Sequence, residues 1–338
     1  MRWVNLVLIA SAAPVAAAAH HSTQAFYDRD ASVELEGTVE SVTWRNPHVG
    51  LTLLVRNEQG EQEQWVLEGG AMNTLRRRGF TEDSVTAGDY VRVAGAPSNR
   101  GAKAIFVTNF LLPSGTEVLF TDRVTPLLWT EVGGETLKGA VSTAGSLTAG
   151  LEPAPDIFRV WLPGGRYYLD KPLELTQKAL TARRSWDPAV DDPALRCEAP
   201  GMPNAILNPY PIEFIDEGQQ IRLRIEEWDG VRLIHLDEAN VPEDFAPDRL
   251  GYSTGHWEGN TLIVRTSHVS WPYLDDSGTP MSDDVRMLEH FTLRPEQGKL
   301  EYQISVTDPE NLETPAVWKT AWIWDPAVSV RPYECTTG

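Results

Sequence analysis

The stretch PIEFIDEGQQIRLRIEEWDGVRLIHLDE, residues 211–238, decides the fold. Apolar and polar side chains alternate in three short runs, which is the period of a half-buried strand and not of a helix. Between the runs, the segments ending at Gly218 and Gly230 supply tight-turn chemistry. The same grammar continues through YSTGHWE (252–258), TLIVRTSHV (261–269), VRMLEHFTLRP (285–295), KLEYQISVTD (299–308) and VWKTAWIW (317–324). Upstream, DIFRVWLPG (156–164) reads as a further strand, and LELTQKALTARRSW (173–186) as the one long helix of this half. Sequential antiparallel strands in this number close most easily into an up-and-down, lipocalin-like β-barrel with an interior cavity. A two-sheet sandwich is the alternative.

Residues 32–113 form a second, smaller unit. SVELEGTVESVTWR, VGLTLLVRN and QEQWVLEG read as three strands, GAMNTLRRRGF as a short helix closed by Gly79, and DYVRVAGAP with AIFVTNFLLP as two more strands. The order β-β-β-α-β-β is the plan of an OB-like five-stranded barrel. Between the units, residues 121–155 are rich in Gly, Ser, Thr, Ala and Pro and show no sustained period, as in GGETLKGAVSTAGSLTAGLEPAP (133–155), so they read as a linker. The fold class is therefore mainly β, with an OB-like domain over 20–120 and an antiparallel barrel over 156–338.

The chain starts MRWVNLVLIASAAPVAAAAH, with one positive charge at Arg2, an apolar run and small residues. This is the pattern of a secretory signal peptide over 1–19. Cleavage after Ala18 or after Ala19 satisfies the small-residue requirement equally. The expected location is exported, periplasmic or secreted, with no transmembrane segment once the signal is removed. A net charge of −19 opposes a sequence-independent grip on nucleic acid or on an anionic membrane. Two cysteines, Cys197 and Cys335, fit a disulfide in such a compartment, with two buried thiols as the alternative.

Strand parity nominates interior side chains. Leu300, Tyr302, Ile304, Val306 and Asp308 share one row, and Val285, Met287, Glu289, Phe291 and Leu293 another. His235 shares the row of Val231 and Leu233, and Trp318, Trp322 and Trp324 line a fourth. A carboxylate in an apolar row is costly to bury unless it is paired or protonated. One reading makes Glu289, His235 and Asp308 acid–base groups in an aromatic pocket lined by Trp318, Trp322, Trp324, Tyr302 and Met287. The other pairs Glu289 with an arginine such as Arg265 or Arg286, and leaves His235 and Asp308 structural.

The loop WPYLDDSGTPMSDD (271–284) carries Asp275, Asp276, Asp283 and Asp284 at what would be a barrel mouth. Asp275 and Asp276 are candidates for ligand contact there, and the carboxylates suit a hard cation, although the spacing does not match a calcium-binding loop and such runs more often form a solvated rim. The chain has no GxSxG, HExxH or CxxC motif and no nucleotide or flavin signature.

Copper has a sequence rationale as a bound metal. Cleavage after Ala19 would leave His20 as the first residue, whose amine and imidazole chelate copper, with His48 of the NPH turn as a third ligand. Cleavage after Ala18 would give Ala19-His20-His21, a square-planar copper(II) or nickel(II) site. The structural alternative is a frayed terminus.

AHHSTQAFYDRDASVELEGTVESVTWRNPHV, WVLEGGAMNTLRRRGF and GDYVRVAGAP together resemble an uncharacterised family of exported bacterial proteins, over roughly residues 19–120. CEAPGMPNAILNPYPIEF, GYSTGHWEGNTLIVRT and YEC look like the C-terminal region of such proteins. The resemblance implies export and a β-rich fold, and transfers no reaction. Met281 stands where some relatives carry a histidine, and His290 where an arginine is common.

The leading expectation is a barrel binding a small, largely apolar molecule, with cofactor-independent acid–base chemistry (isomerase, hydratase or lyase) at Glu289. Its rivals are a copper-binding protein using His20, His21 and His48, and a non-catalytic assembly module of the cell envelope.

Overall fold

The computed structural model describes residues 23–120, 126–129, 153–165, 167–236 and 241–336. The expected signal peptide, His20, His21 and most of the expected linker lie outside the described residues. Among the described residues no helix is long and apolar enough to cross a membrane.

A one-turn helix, α1 (Thr23–Phe26), leads into the first barrel. Its strands are β1 (Val33–Thr43), β2 (Gly50–Arg56), β3 (Gln62–Glu68), β4 (Tyr90–Pro97) and β5 (Ala104–Leu111). Helix α2 (Met72–Arg77) joins β3 to β4, and β6 (Glu117–Leu119) extends β5. The strands run β3-β2-β1-β4-β5, and a parallel β3–β5 pairing closes the ring, giving a five-stranded barrel of the OB plan. Closure requires tight curvature, and the sequence supplies it with bulges at Val39/Ser41 and Ala94/Gly95. A side chain at Gly37 would sit 2.3 Å from the Leu54 carbonyl oxygen, and one at Gly95 would sit 2.2 Å from that of Phe106, so only glycine fits either site. Leu53, Leu67, Leu75, Phe80, Val93, Ile105 and Phe110 fill the interior. Residues 126–129 dock back on this barrel, where the Glu117 carboxylate accepts from the Leu128 and Trp129 amides at 2.9 Å each.

The second barrel comprises β7 (Val160–Pro163), β9 (Ile212–Asp216), β10 (Gln220–Ile225), β11 (Gly230–Leu236), β12 (Tyr252–Glu258), β13 (Thr261–Ser267), β14 (Arg286–Arg294), β15 (Lys299–Thr307) and β16 (Ala316–Trp324). β15 pairs with β16, β16 with β7 and β7 with β9, so nine strands close the ring. The short β8 (Tyr168–Leu169) lies against β16. Helices α3 (Gln177–Ser185) and α4 (Asn204–Leu207) occupy the connection from β8 to β9. Two features depart from a simple meander. β7 inserts between the last strand and β9, and β11 runs parallel to β12 because a long connection returns the chain to the same end.

Alternation holds along β14 and β15: Met287, Glu289, Phe291 and Leu293 are buried, as are Leu300, Tyr302, Ile304 and Val306. Phe214, Phe291, Tyr302 and Trp322 meet inside, with ring centroids 4.7–5.2 Å apart between successive partners. The Cys197–Cys335 disulfide forms, with Cα atoms 5.9 Å apart.

Candidate functional site

Glu289 points into the second barrel and is fully buried, but its partner is Arg232 on β11 and not Arg265 or Arg286. Arg232 Nη1 donates to Glu289 Oε1 at 2.9 Å, and Nη2 donates to Oε2. The remaining guanidinium donors reach Ser253 Oγ (2.8 Å), Thr266 Oγ1 and Met202 Sδ (3.8 Å). Glu289 also accepts from Tyr302 Oη at 2.8 Å and Thr266 Oγ1 at 3.2 Å. Five donors and four acceptor directions are the whole capacity of this pair, and all are used. The Tyr302 hydroxyl is held well above its ordinary pKa by burial and by the Glu289 charge. Five consecutive strands, β11 to β15, each contribute one member.

The other proposed acid–base residues stand elsewhere. His235 lies on the outer face of β11, with its ring stacked on Tyr252 at 4.6 Å. The interior row of β11 is Arg232 and Ile234, and Val231 is 45 % exposed, so the row assigned to His235 from sequence is the outward one. Asp308 is buried at the end of β15, where it accepts from Ser282 N (2.8 Å), Ser282 Oγ (2.7 Å), Asn311 Nδ2 (2.9 Å) and Glu310 N (3.2 Å). It ties the 271–284 loop to the following turn. In that loop Asp275 accepts from Ser277 N, Thr279 N and Thr279 Oγ1, and Asp276 accepts from Asn204 Nδ2. Trp318 and Trp322 are buried in the wall, Met287 lies in the core, and Trp324 lies under the Arg159 guanidinium, 4.6 Å from the ring centroid.

A second polar cluster lies on the first barrel. His48, in the turn between β1 and β2, carries Nδ1 2.8 Å from the Gly69 carbonyl oxygen and 3.4 Å from Glu68 Oε1. A carbonyl can only accept, so Nδ1 is the donor in that bond. Glu68 Oε2 accepts from the Tyr27 hydroxyl at 2.7 Å. Burial and the Glu68 charge raise the Tyr27 pKa. The Phe106 ring packs edge-on to His48, with centroids 6.2 Å apart. No group of three or more His, Cys, Asp or Glu side chains among the described residues is placed to hold a metal ion. His20 and His21 lie outside those residues.

The third concentration of charge joins the two barrels. The turn Glu226-Glu227-Trp228-Asp229 holds Trp228 at φ +59° and Asp229 at φ +50°, left-handed values that are unfavourable for such side chains. Contacts on every side fix this turn. Glu226 is buried, pairs with Arg77 of α2 and accepts from Arg331 N at 3.0 Å. Asp229 accepts from Tyr333 N at 3.0 Å, and Trp228 packs on the Tyr333 ring at 5.3 Å. Asn73 Nδ2 donates to the Pro332 carbonyl at 2.9 Å, and Asn46 Nδ2 donates to that of Tyr333. Burial pushes the Glu227 carboxyl up to about 8, with the nearby Asp276 charge adding to the rise and the Asn208 amide at 2.5 Å opposing it.

Sequence reasoning reached Glu289 and His48 but missed Arg232, Glu68, Tyr27 and Glu227. Arg232 has a signal in the sequence, because the row Arg232, Ile234, Leu236 is as consistent with a strand as the row Val231, Leu233, His235. Fold and sites together define a two-barrel β protein with a buried ion pair in one barrel and a histidine–carboxylate–tyrosine cluster on the other. Residues 7–106, which include that cluster, match the model of a family of unknown function, DUF6152. No curated protein matches the chain.

Proposed function

We propose that this is an exported copper-binding protein whose first barrel holds the metal through His48 and the N-terminal histidines, while the second barrel is a rigid, non-catalytic body. The observation that carries the reading is the bond from His48 Nδ1 to the Gly69 carbonyl, with Glu68 beside it. Histidines that ligate metals use one ring nitrogen and anchor the other on a carbonyl or carboxylate, which fixes both tautomer and ring orientation. His48 has that anchoring.

Chain reach supports the rest. Tyr27 is fastened to Glu68, and His21 precedes it by six residues, a span of at most about 20 Å when extended and much less when helical. That length of chain does not bar His20 and His21 from His48. Acid–base catalysis at Glu289 has no comparable support, since every hydrogen-bonding direction of that carboxylate is engaged inside the protein.

Mass spectrometry of the exported protein fixes the N-terminus, and copper(II) titration followed by electron paramagnetic resonance tests the site. His48→Ala should weaken copper binding and change the nitrogen hyperfine pattern, and His20→Ala should do the same. Glu68→Gln should cost about 10–100-fold in affinity, as the loss of an anchoring partner does. Affinity and spectrum unchanged in His48→Ala would remove this barrel from the metal site.

A further inference from the structure

We propose that the outer face of the second barrel binds a neutral, hydroxyl-rich ligand, a short stretch of glycan, independently of the metal reading. A groove of about 800 Å³ crosses β13 to β16 beside Gly164, Gly165 and Tyr168, within the size range of small-molecule clefts. Strand register sets its floor. Ile263, His290, Gln303 and Lys319 align laterally across four strands, and Tyr168 of β8 extends the row. Thr261, Thr292 and Glu301 form the next row.

The groove is lined by two lysines, Lys299 and Lys319, and two glutamates, Glu258 and Glu301. Lys319 is held by Asp170 at 2.7 Å, and Lys299 by Glu301 at 3.0 Å. The floor therefore presents directed donors and acceptors with little net field, which does not select a phosphate or carboxylate ligand. Only Ile263, Ile323 and Ala321 among the aligned floor residues are aliphatic, which disfavours a purely apolar ligand.

His290 adds an independent observation. Its Nδ1 is buried with no hydrogen-bond partner among the described residues. His290 lies in the lateral row between Ile263 and Gln303. Gln303 beside it offers both a donor and an acceptor. Tyr168 is 58 % exposed and lines the groove, giving a ring face against which the apolar face of a sugar can lie. An aromatic platform beside interleaved donors and acceptors is the chemistry that recognises a polyol ring.

Isothermal titration of the full protein with cellohexaose, maltohexaose and chitohexaose tests the proposal. At least one should bind saturably with Kd of roughly 0.1–1 mM. Tyr168→Ala and Gln303→Ala should each weaken that binding about tenfold without lowering the melting temperature, since Tyr168 is exposed and Gln303 faces outward. A heparin hexasaccharide should bind no more tightly than the neutral sugars. Absence of saturable binding by all three, retention of full affinity in both variants, or preference for the anionic sugar would each overturn the proposal.

Discussion

Arg232 and Glu289 form a two-pronged ion pair inside the second barrel, and neither has a hydrogen-bonding direction left for anything else. Such a pair contributes little net stability compared with well-packed apolar residues, because desolvation of both charges offsets their attraction. Breaking it is another matter. Glu289→Gln leaves a buried guanidinium uncompensated and should destabilise the protein by about 3–5 kcal/mol. Replacing both partners, Arg232→Met with Glu289→Leu, should cost clearly less than Glu289→Gln alone. Urea unfolding of the three proteins checks this, and a near-neutral Glu289→Gln would mean that water reaches the pair.

The same pair shows where sequence reading succeeds and where it stops. Alternation along 285–293 and 300–306 placed Glu289 inside, because each strand has one unmistakably apolar row. In VRLIHLDE both rows are apolar, with Val231 and Leu233 on one side and Ile234 and Leu236 on the other. The strand's parity is then decided by its partners, Leu223 opposite Arg232 and Ile221 opposite Ile234, whose side chains already face the core. Pairing between strands is invisible in a single run of residues, so the sequence alone turns His235 inward. The parallel β11–β12 pairing was hidden for the same reason. Short turns such as Glu258-Gly259-Asn260 announce antiparallel neighbours, whereas a long connection does not say on which side or in which direction the chain returns. The His48–Glu68–Tyr27 cluster needed three separate segments to meet, and only the histidine stood out by type.

Glu227 makes stability depend on pH. Its folded-state pKa of about 8 lies above the ordinary carboxyl value near 4.5, so the folded protein holds this proton more tightly than the unfolded chain. The resulting stabilisation is complete below pH ~4.5 and declines as pH rises towards about 8, by on the order of a few kcal/mol in total. Asp276, whose charge disfavours ionisation, acts in the same direction, and the Asn208 amide acts against it. Glu227→Gln retains the shape and removes the titration. Melting temperatures measured from pH 5 to 9 should fall more steeply in the parent than in Glu227→Gln, and parallel curves would place the carboxyl in contact with water.

The C-terminal tail should be the joint on which the relation of the two barrels depends. Residues 331–335 receive side-chain amide donors from Asn46 and Asn73 of the first barrel, and give their own amides to Glu226 and Asp229 of the second. The disulfide ties this tail to Cys197, 138 residues earlier, in the connection between α3 and α4. A cross-link closing so long a loop stabilises by up to about 5 kcal/mol on the chain-entropy account. Cys197→Ser with Cys335→Ser should therefore lower stability by an amount up to that size. The loss should also be local. Amide exchange at Arg331 and Tyr333, whose hydrogens point at Glu226 and Asp229, should rise by a larger factor than exchange in the core strands β14 and β15. Asn73→Ala removes one tail contact without touching the disulfide, and should raise exchange at the same two amides while leaving the barrel cores protected. Equal protection of those amides in all three proteins would show that the Glu226–Asp229 turn alone holds the tail and that neither the cross-link nor the first barrel contributes.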